Sequence, residues 1–559
     1  KTLTIAGGTL EAGTLAMTAT GNVTLDGGTL STSSGQLFTT ALDADATATD
    51  AGSLKLTDTQ LTLKSGSLAV NDSNYNLHYA SSAAGLVGQN VSVVFTGNLV
   101  NRDETDESLN QITADDFTSG DIADNVVFAN AVLDNSGETT APNLVIGSSS
   151  DENSTAINQS VGVQSIGLCD SADSVTITSG NQLTLVGDGG DLITGGSEEL
   201  HVDVGTEGSA GTLRLGSSAV EASGGTLDTD LNVQNAGSSV VIEAGSFTVT
   251  GEVTNAGHIV VEDGAELVLE DQLTLNNGTV KVLGSAQIGD VALEEGASGL
   301  ITVGTDGMSG EVRFTGTTLG GAVVFLDPAW RESGGDRIED ASKSYWTHDS
   351  VDGAFIAGRN SVAVFGTDDF GTVSTLFGLG GFTWGQNDIT AAAYIGKPVT
   401  LTSTGRIIVN GALTEAPSEL TEAVVFADNS LLIADVSGLT AEKALITAES
   451  GAKATVSESA SLLLTGLSKD GSYRMINVDK AVWSADNIRS ANAMFTNPTV
   501  DATTGAITFE MQSADTVYGR LMQGGALADA AMADGATAAA QYANSLLEDL
   551  SGDVAAAAR

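Results

Sequence analysis

Four histidines, His78, His201, His258 and His348, are the chain's whole supply of imidazole for nucleophilic catalysis. His348 has the most suggestive neighbours, following Trp346 and preceding Asp349 and Ser350. A catalytic triad, however, is set by geometry across the fold and not by adjacency in sequence. His258 lies in a repeated strand pattern, at the position where another repeat carries Ser238, and is expected to be an ordinary strand residue. No Gly-x-Ser-x-Gly elbow, His-Glu-x-x-His zinc pair or Walker loop accompanies these residues.

Carboxylates are the second candidate chemistry. Glycan cleavage uses two acids on one face of the sugar-binding groove, but with 71 Asp and Glu residues chance pairs are unavoidable. The better candidates are Asp368-Asp369 beside Phe370, and Asp336 with Glu339 and Asp340 near Trp330, because aromatic rings stack on sugars. Gly187-Asp188-Gly189-Gly190-Asp191-Leu192-Ile193-Thr194-Gly195-Gly196 approaches the nonapeptide pattern of calcium β-rolls. It occurs once and with imperfect spacing, so a turn is the better reading. The expectation is a non-enzyme with no cofactor and no metal.

Recognition is the third. Three of the four Trp fall between residues 325 and 394, in an otherwise aromatic-poor chain. Large, stiff aromatic side chains anchor sugar and protein contacts, which makes Trp330, Tyr345, Trp346 and Trp384 the binding candidates. The alternative is that these rings fill an irregular core. Arg331, Arg337, Lys343 and Arg359 gather in the same stretch, and Gly378-Leu379-Gly380-Gly381 marks sharp turns.

Charge narrows the partners. A formal net charge of -50, with only 21 Lys and Arg, argues against nucleic acid and anionic lipid, because phosphate binding needs clustered basic side chains. No apolar stretch approaches the roughly 18 to 20 residues of a membrane-spanning helix, and no signal peptide opens the chain. Cys169 is the single cysteine and has no partner for an internal disulfide.

The elements that must position any site are repeats of about twenty residues. Leu3-Thr4-Ile5-Ala6-Gly7-Gly8-Thr9-Leu10 returns as Val23-Thr24-Leu25-Asp26-Gly27-Gly28-Thr29-Leu30, and again as Leu61-Thr62-Leu63-Lys64-Ser65-Gly66-Ser67-Leu68. In mid-chain, Asn235-Ala236-Gly237, Asn255-Ala256-Gly257 and Asn276-Asn277-Gly278 recur, each followed by an alternating apolar run. Alternation turns one side chain inward and the next to water. A period of this length means a solenoid. With 68 Gly, 5 Pro and strands of Val, Leu, Ile and Thr, the expected fold is all-β: a parallel β-helix, with Leu231, Val260 and Leu273 among its inward residues.

Residues 1–324 are expected to be coils with an acidic insertion near 101–124, residues 325–397 aromatic-rich irregular coils or a protruding subdomain, and residues 398–518 further coils. From 519 to 559 the composition turns to Ala, Leu and Met, and Tyr542, Leu546 and Leu550 share a face, so a short helical tail closes the chain. The chain begins inside a repeat at Lys1, which suggests that upstream coils or a leader precede it.

A Gly-, Asn- and Thr-rich β-helix with these Asn-x-Gly turns, followed by a further β segment and then an Ala-rich helix, resembles the passenger region of bacterial type V autotransporters. The resemblance covers most of the chain. It implies a right-handed parallel β-helix, export across the outer membrane of a Gram-negative bacterium, and a linker helix leading to a C-terminal membrane barrel. No barrel is expected within these residues, since nothing after Arg520 alternates as ten-residue membrane strands. The chain would then meet the membrane only through a barrel outside it.

Three functions remain open at this level. The first is a secreted, cell-surface adhesin or structural stalk, whose partner is a glycan or protein on a host or neighbouring cell. The second is a subunit of an extracellular filament or surface layer, assembling with copies of itself through coil ends. The third, disfavoured for want of a convergent site, is a polysaccharide-degrading β-helix enzyme.

Overall fold

A computed structural model of the chain describes backbone strands between residues 2 and 101, a few residues from 111 to 117, and then residues 126 to 519 except 219, 221–222, 306, 328–337, 386–387, 440–442 and 514. Side chains are described from residue 111 onward. Most of the acidic stretch 101–124 lies outside the described residues, as do Trp330 and the Ala-rich segment 520–559.

The fold is all-β, a right-handed parallel β-helix, the hand that parallel crossover connections take. The chain divides into two compact units, residues 1–289 with 294–298, and residues 290–293 with 299–559.

In the first unit the sequence repeat and the strand register coincide at the start. Leu3, Val23 and Leu61 are successive ladder partners, and so are Leu10, Leu30 and Leu68. Further on, each coil contributes three short strands. Ser174–Ile177, His201–Val204, Asp230–Val233, Val253–Asn255 and Leu273–Leu275 stack in parallel on one sheet. Gln182–Leu185, Thr212–Leu215, Ser239–Ile242, His258–Val261 and Thr279–Val282 stack on the second. Gly224–Leu227, Ser246–Val249, Glu266–Leu269 and Ser285–Ile288 form the third.

Burial follows the alternation. Leu231, Val233, Val240, Ile242, Phe247, Val249, Leu273 and Leu275 are all at most 1% exposed, and make the inward column. Phase is where the sequence reading fails locally. Val260, expected inside, faces outward and is only partly covered, while Ile259 and Val261 are buried. His258 stands opposite Ser239 and Thr279, not Ser238. Five residues separate Val233 from Ser239 and only two separate Asn255 from His258, so turn length shifts the alignment that Asn-x-Gly spacing suggests.

The second unit is also built of three-strand coils. One sheet runs Leu300–Val303, Val323–Leu326, Ala354–Ala357, Arg406–Val409, Val424–Phe426 and Ala454–Val456. A second runs Glu311–Phe314, Ser342–Trp346, Ser361–Phe365, Ala391–Ile395, Ser430–Asp435, Ser461–Thr465 and Ile488–Ser490. The third includes Val399–Leu401, Ala444–Thr447 and Tyr473–Ile476. The described part of residues 325–397 contributes strands to these sheets, interrupted by the short 3-10 helix Ile338–Asp340 and by the helix Phe370–Leu379.

This unit changes character after Tyr473–Ile476. Ala506–Met511 joins that strand antiparallel, and Phe495–Val500 joins Ala506–Met511 antiparallel. Phe495–Val500 carries Pro498, Asn497 at φ 50°, and a register break between Thr496 and Thr499. Those features suit an edge that accepts no further strand. Trp483, 2% exposed, tilts its ring against that of Phe426, with centroids 5.2 Å apart.

Candidate interaction surface

The sheet that carries Ser342–Trp346 is apolar on both faces. Alternation sends Tyr345 and Trp346 to opposite sides. Trp346, 0% exposed, lies inside with Phe314, Phe355 and Phe365, at ring separations of 6.0 Å to Phe314, 5.8 Å to Phe355, and 5.0 Å between Phe355 and Phe365. Its indole N–H donates to the Ser350 carbonyl at 3.0 Å, which satisfies the one polar atom of a buried ring.

On the outer face, Tyr345, Val364, Tyr394, Ile433 and Leu463 are successive ladder partners, with Arg313 before them and Arg489 after. All five members of that stripe are buried. What buries them is the helix Phe370–Leu379 and the loop after it: Val373 and Phe377 pack fully into the stripe, while Phe370, Leu376, Phe382 and Trp384 pack on it partly exposed. A side chain the size of Phe377 gains about 1.5–3 kcal/mol on burial. The helix has Gly, Thr, Val and Ser in most of its positions, poor formers in isolation, so its seat on the sheet holds it together.

Local chemistry fixes its ends. Asp369 caps the N-terminus, accepting from the Thr372 N–H at 3.3 Å and its hydroxyl at 2.6 Å, and these bonds hold its carboxyl below the usual range. Gly378 lies within the helix, not in a turn; the chain leaves it at Gly380, with Gly381 at φ 68°. Arg313 lies 4.6 Å from the Tyr345 ring centroid, pairs with Glu311 at 2.8 Å, and donates to the Asp368 carbonyl at 3.3 Å. Lys343 sits 4.4 Å from the Phe370 ring centroid and donates to the Glu339 carbonyl at 2.7 Å; burial pulls its pKa down. Burial also raises that of Tyr345, whose hydroxyl has no hydrogen-bond partner among the described residues.

Of the four binding candidates, Tyr345 and Trp346 are core residues that present no ring to solvent, a correction to the expected contact surface. The cause is that apolar residues alternate onto a sheet covered on both sides. Trp384 is half-buried, edge-on to Phe377 at 5.6 Å, in a loop that the Thr383 N–H closes onto Asp388 at 2.6 Å. Trp330 lies outside the described residues. Lys343 belongs to the basic cluster legible in the sequence, whereas Arg313 and Trp483 do not stand out there; the register of Arg313 against Tyr345, which the sequence does not display, is what identifies the first.

The other candidate chemistry is dispersed into structural roles. His258 shares a 2.8 Å hydrogen bond with Thr279, His201 lies 3.5 Å from Asp203, and the His348 ring packs edge-on against Trp346. Asp368 pairs with Arg313 at 4.0 Å, and Glu339 accepts from Ser374; Asp336 is outside the described residues. Around Gly187, the Asp188 carboxylate accepts from the Gly190 N–H, and Gly187 and Gly189 take φ 67° and 96°, the geometry of a turn. Among the described residues no group of three His, Cys, Asp or Glu is placed to hold a metal ion, and no helix is long and apolar enough to cross a membrane. The large exposed apolar side chains among them are Met511 and Tyr518.

Comparison of the chain with protein-family models, with curated proteins and with solved structures finds no match.

Proposed function

We propose that this chain is a secreted, cell-surface β-solenoid of the autotransporter-passenger kind, serving as a structural stalk that displays whatever contacts a neighbouring cell. The observation that carries this reading is the register of the coils. Each strand finds its hydrogen bonds on the coils before and after it, so the stack needs no external partner to hold its length. The burial of Tyr345 and Trp346 moves the balance from adhesin toward stalk, since the aromatic cluster serves packing. A non-enzymatic role agrees with His258 bonded to Thr279 of the following coil and with Asp368 paired with Arg313.

A filament built through coil ends is the weaker alternative. The antiparallel pair Phe495–Val500 and Ala506–Met511 occupies the edge of Tyr473–Ile476, where a further parallel strand of the third sheet would add. Assembly through that end would have to displace them.

The test is expression of the complete reading frame in a Gram-negative host, followed by protease treatment of intact cells. Display predicts that antibody epitopes within residues 126–519 are lost or shed while periplasmic markers survive. Full protection of those epitopes in intact cells would refute it.

A further inference from the structure

We propose that Asn277-Gly278 is a self-modifying site, at which the folded coil promotes loss of the Asn277 side-chain amide. Asn277 is exposed, in a turn at φ 61°. Its Oδ1 accepts two hydrogen bonds from one residue of the following turn, the Ser298 backbone N–H at 3.1 Å and the Ser298 hydroxyl at 3.2 Å. The Asn277 N–H donates back to the Ser298 carbonyl at 2.9 Å, so the two turns are held in register. Two donors aimed at one carbonyl oxygen stabilise the negative charge that builds there when the carbon is attacked.

The attacking atom is supplied by the next residue. The amides of Asn276, Asn277 and Thr279 donate to Asn255, Ser298 and Gly257, whereas the Gly278 N–H has no acceptor among the described residues. Gly278 is itself buried in the corner, but it has no side chain of its own between its nitrogen and the exposed Asn277 side chain. That nitrogen gives its proton to hydroxide and attacks Asn277 Cγ; the Cγ–Nδ2 bond breaks, and Nδ2 leaves as ammonia with a proton from water. Water then opens the five-membered imide. Cleavage of the new N–Cγ bond leaves an aspartate. Cleavage between the Gly278 nitrogen and the Asn277 backbone carbonyl leaves an isoaspartyl linkage, with one extra carbon in the main chain.

That extra carbon matters because this corner has no slack. A Cβ on Gly278 would lie 2.3 Å from the Asn255 carbonyl oxygen, and Thr279–Val282 begins at the next residue. Lengthening the main chain here pushes the strand against its neighbour, and the modification adds a carboxylate to a chain already at -50. Asn410-Gly411 provides an internal comparison: among the described residues its Asn410 Oδ1 accepts the Ala412 N–H, at 3.0 Å, and no second donor.

The experiment incubates the purified chain in mildly alkaline buffer and follows it by peptide mass mapping that separates isoaspartyl from aspartyl products. A synthetic peptide of residues 270–284 runs in parallel. The expected result is a gain of one mass unit at Asn277, faster than in the peptide and faster than at Asn410. Ser298→Ala should slow it roughly tenfold, less than the 10²–10³ lost in enclosed oxyanion holes because this turn is in water; Ser298→Thr, which keeps the hydroxyl, should retain the rate. Ser298 is exposed, and circular dichroism checks that each variant keeps its β-structure. Slower modification in the folded chain than in the peptide, or an unchanged or faster rate in Ser298→Ala, would overturn the proposal.

Discussion

Asn255 stands opposite Val233 in the parallel ladder, so an amide occupies a place that the neighbouring coils fill with Val233 and Leu275. It is 0% exposed, and both ends of its side chain are used: Oδ1 accepts from the Gly257 N–H at 2.9 Å and Nδ2 donates to the Thr279 carbonyl at 3.0 Å. The buried amide thus ties its own turn to the strand of the next coil. Asn255→Ala leaves that donor and acceptor unsatisfied and should cost about 1–3 kcal/mol, and Asn255→Leu should not recover it. Urea unfolding midpoints check both; a stabilised Asn255→Leu would mean that apolar fit outweighs the tie.

Adjacent residues on one strand should respond oppositely to charge. Ile259→Asp buries a carboxylate in the inward column and should open that coil to protease, at a cost of several kcal/mol. Val260→Asp places the same charge outside, beside the ladder partner Lys281, and should stay within about 0.5 kcal/mol of the parent. Limited proteolysis with mapping of the cut sites distinguishes them.

Trp346→Ala should destabilise the second unit by about 3–5 kcal/mol, the usual cost of emptying a large aromatic site. The prediction is a lower unfolding midpoint with new cleavage near residues 342–365. Tolerance of the change would place the ring outside the core.

Phe377→Ala should unseat the helix Phe370–Leu379 and leave the coils standing, because the outer stripe and the inward column are separate clusters on opposite faces of the sheet. Hydrogen exchange should rise at residues 370–379 and stay low in Ser361–Phe365, with new binding of a dye that reports exposed apolar surface. Equal loss of protection in both segments would show that they unfold as one.

Asp290 accepts from the backbone N–H groups of Thr317, at 2.5 Å, and Thr318, at 3.1 Å, and these bonds hold its carboxyl below the ordinary value of 3.8. A depressed folded pKa adds stability above the unfolded value, and that stability is lost as pH falls through the folded one. Asp290→Asn should therefore lower the thermal midpoint at neutral pH, and the gap to the parent should close below about pH 4 as the parent's carboxylate is protonated. A gap that persists in acid would mean that the side chain acts through shape and not charge.

Much of the fold was legible because its causes are local. A repeat near twenty residues, alternating Val, Leu and Ile with Thr and Asp between turns, determines short strands stacked on themselves, and Leu3, Val23 and Leu61 became ladder partners where that pattern placed them. Composition likewise determined the acidic exterior. The tertiary structure decided phase and company. Val260 and Ile259 are both β-branched and apolar, so nothing local says which points inward; the length of the preceding turn says it. Tyr345 and Trp346 look alike as surface anchors, until a helix that begins 25 residues after Tyr345, at Phe370, covers one and the coil interior takes the other. The two turns that meet at Asn277 and Ser298 are 21 residues apart in sequence and become neighbours only because one coil stacks on the next. Periodicity is written in the nearest residues, whereas burial of a particular side chain depends on what the rest of the chain lays over it.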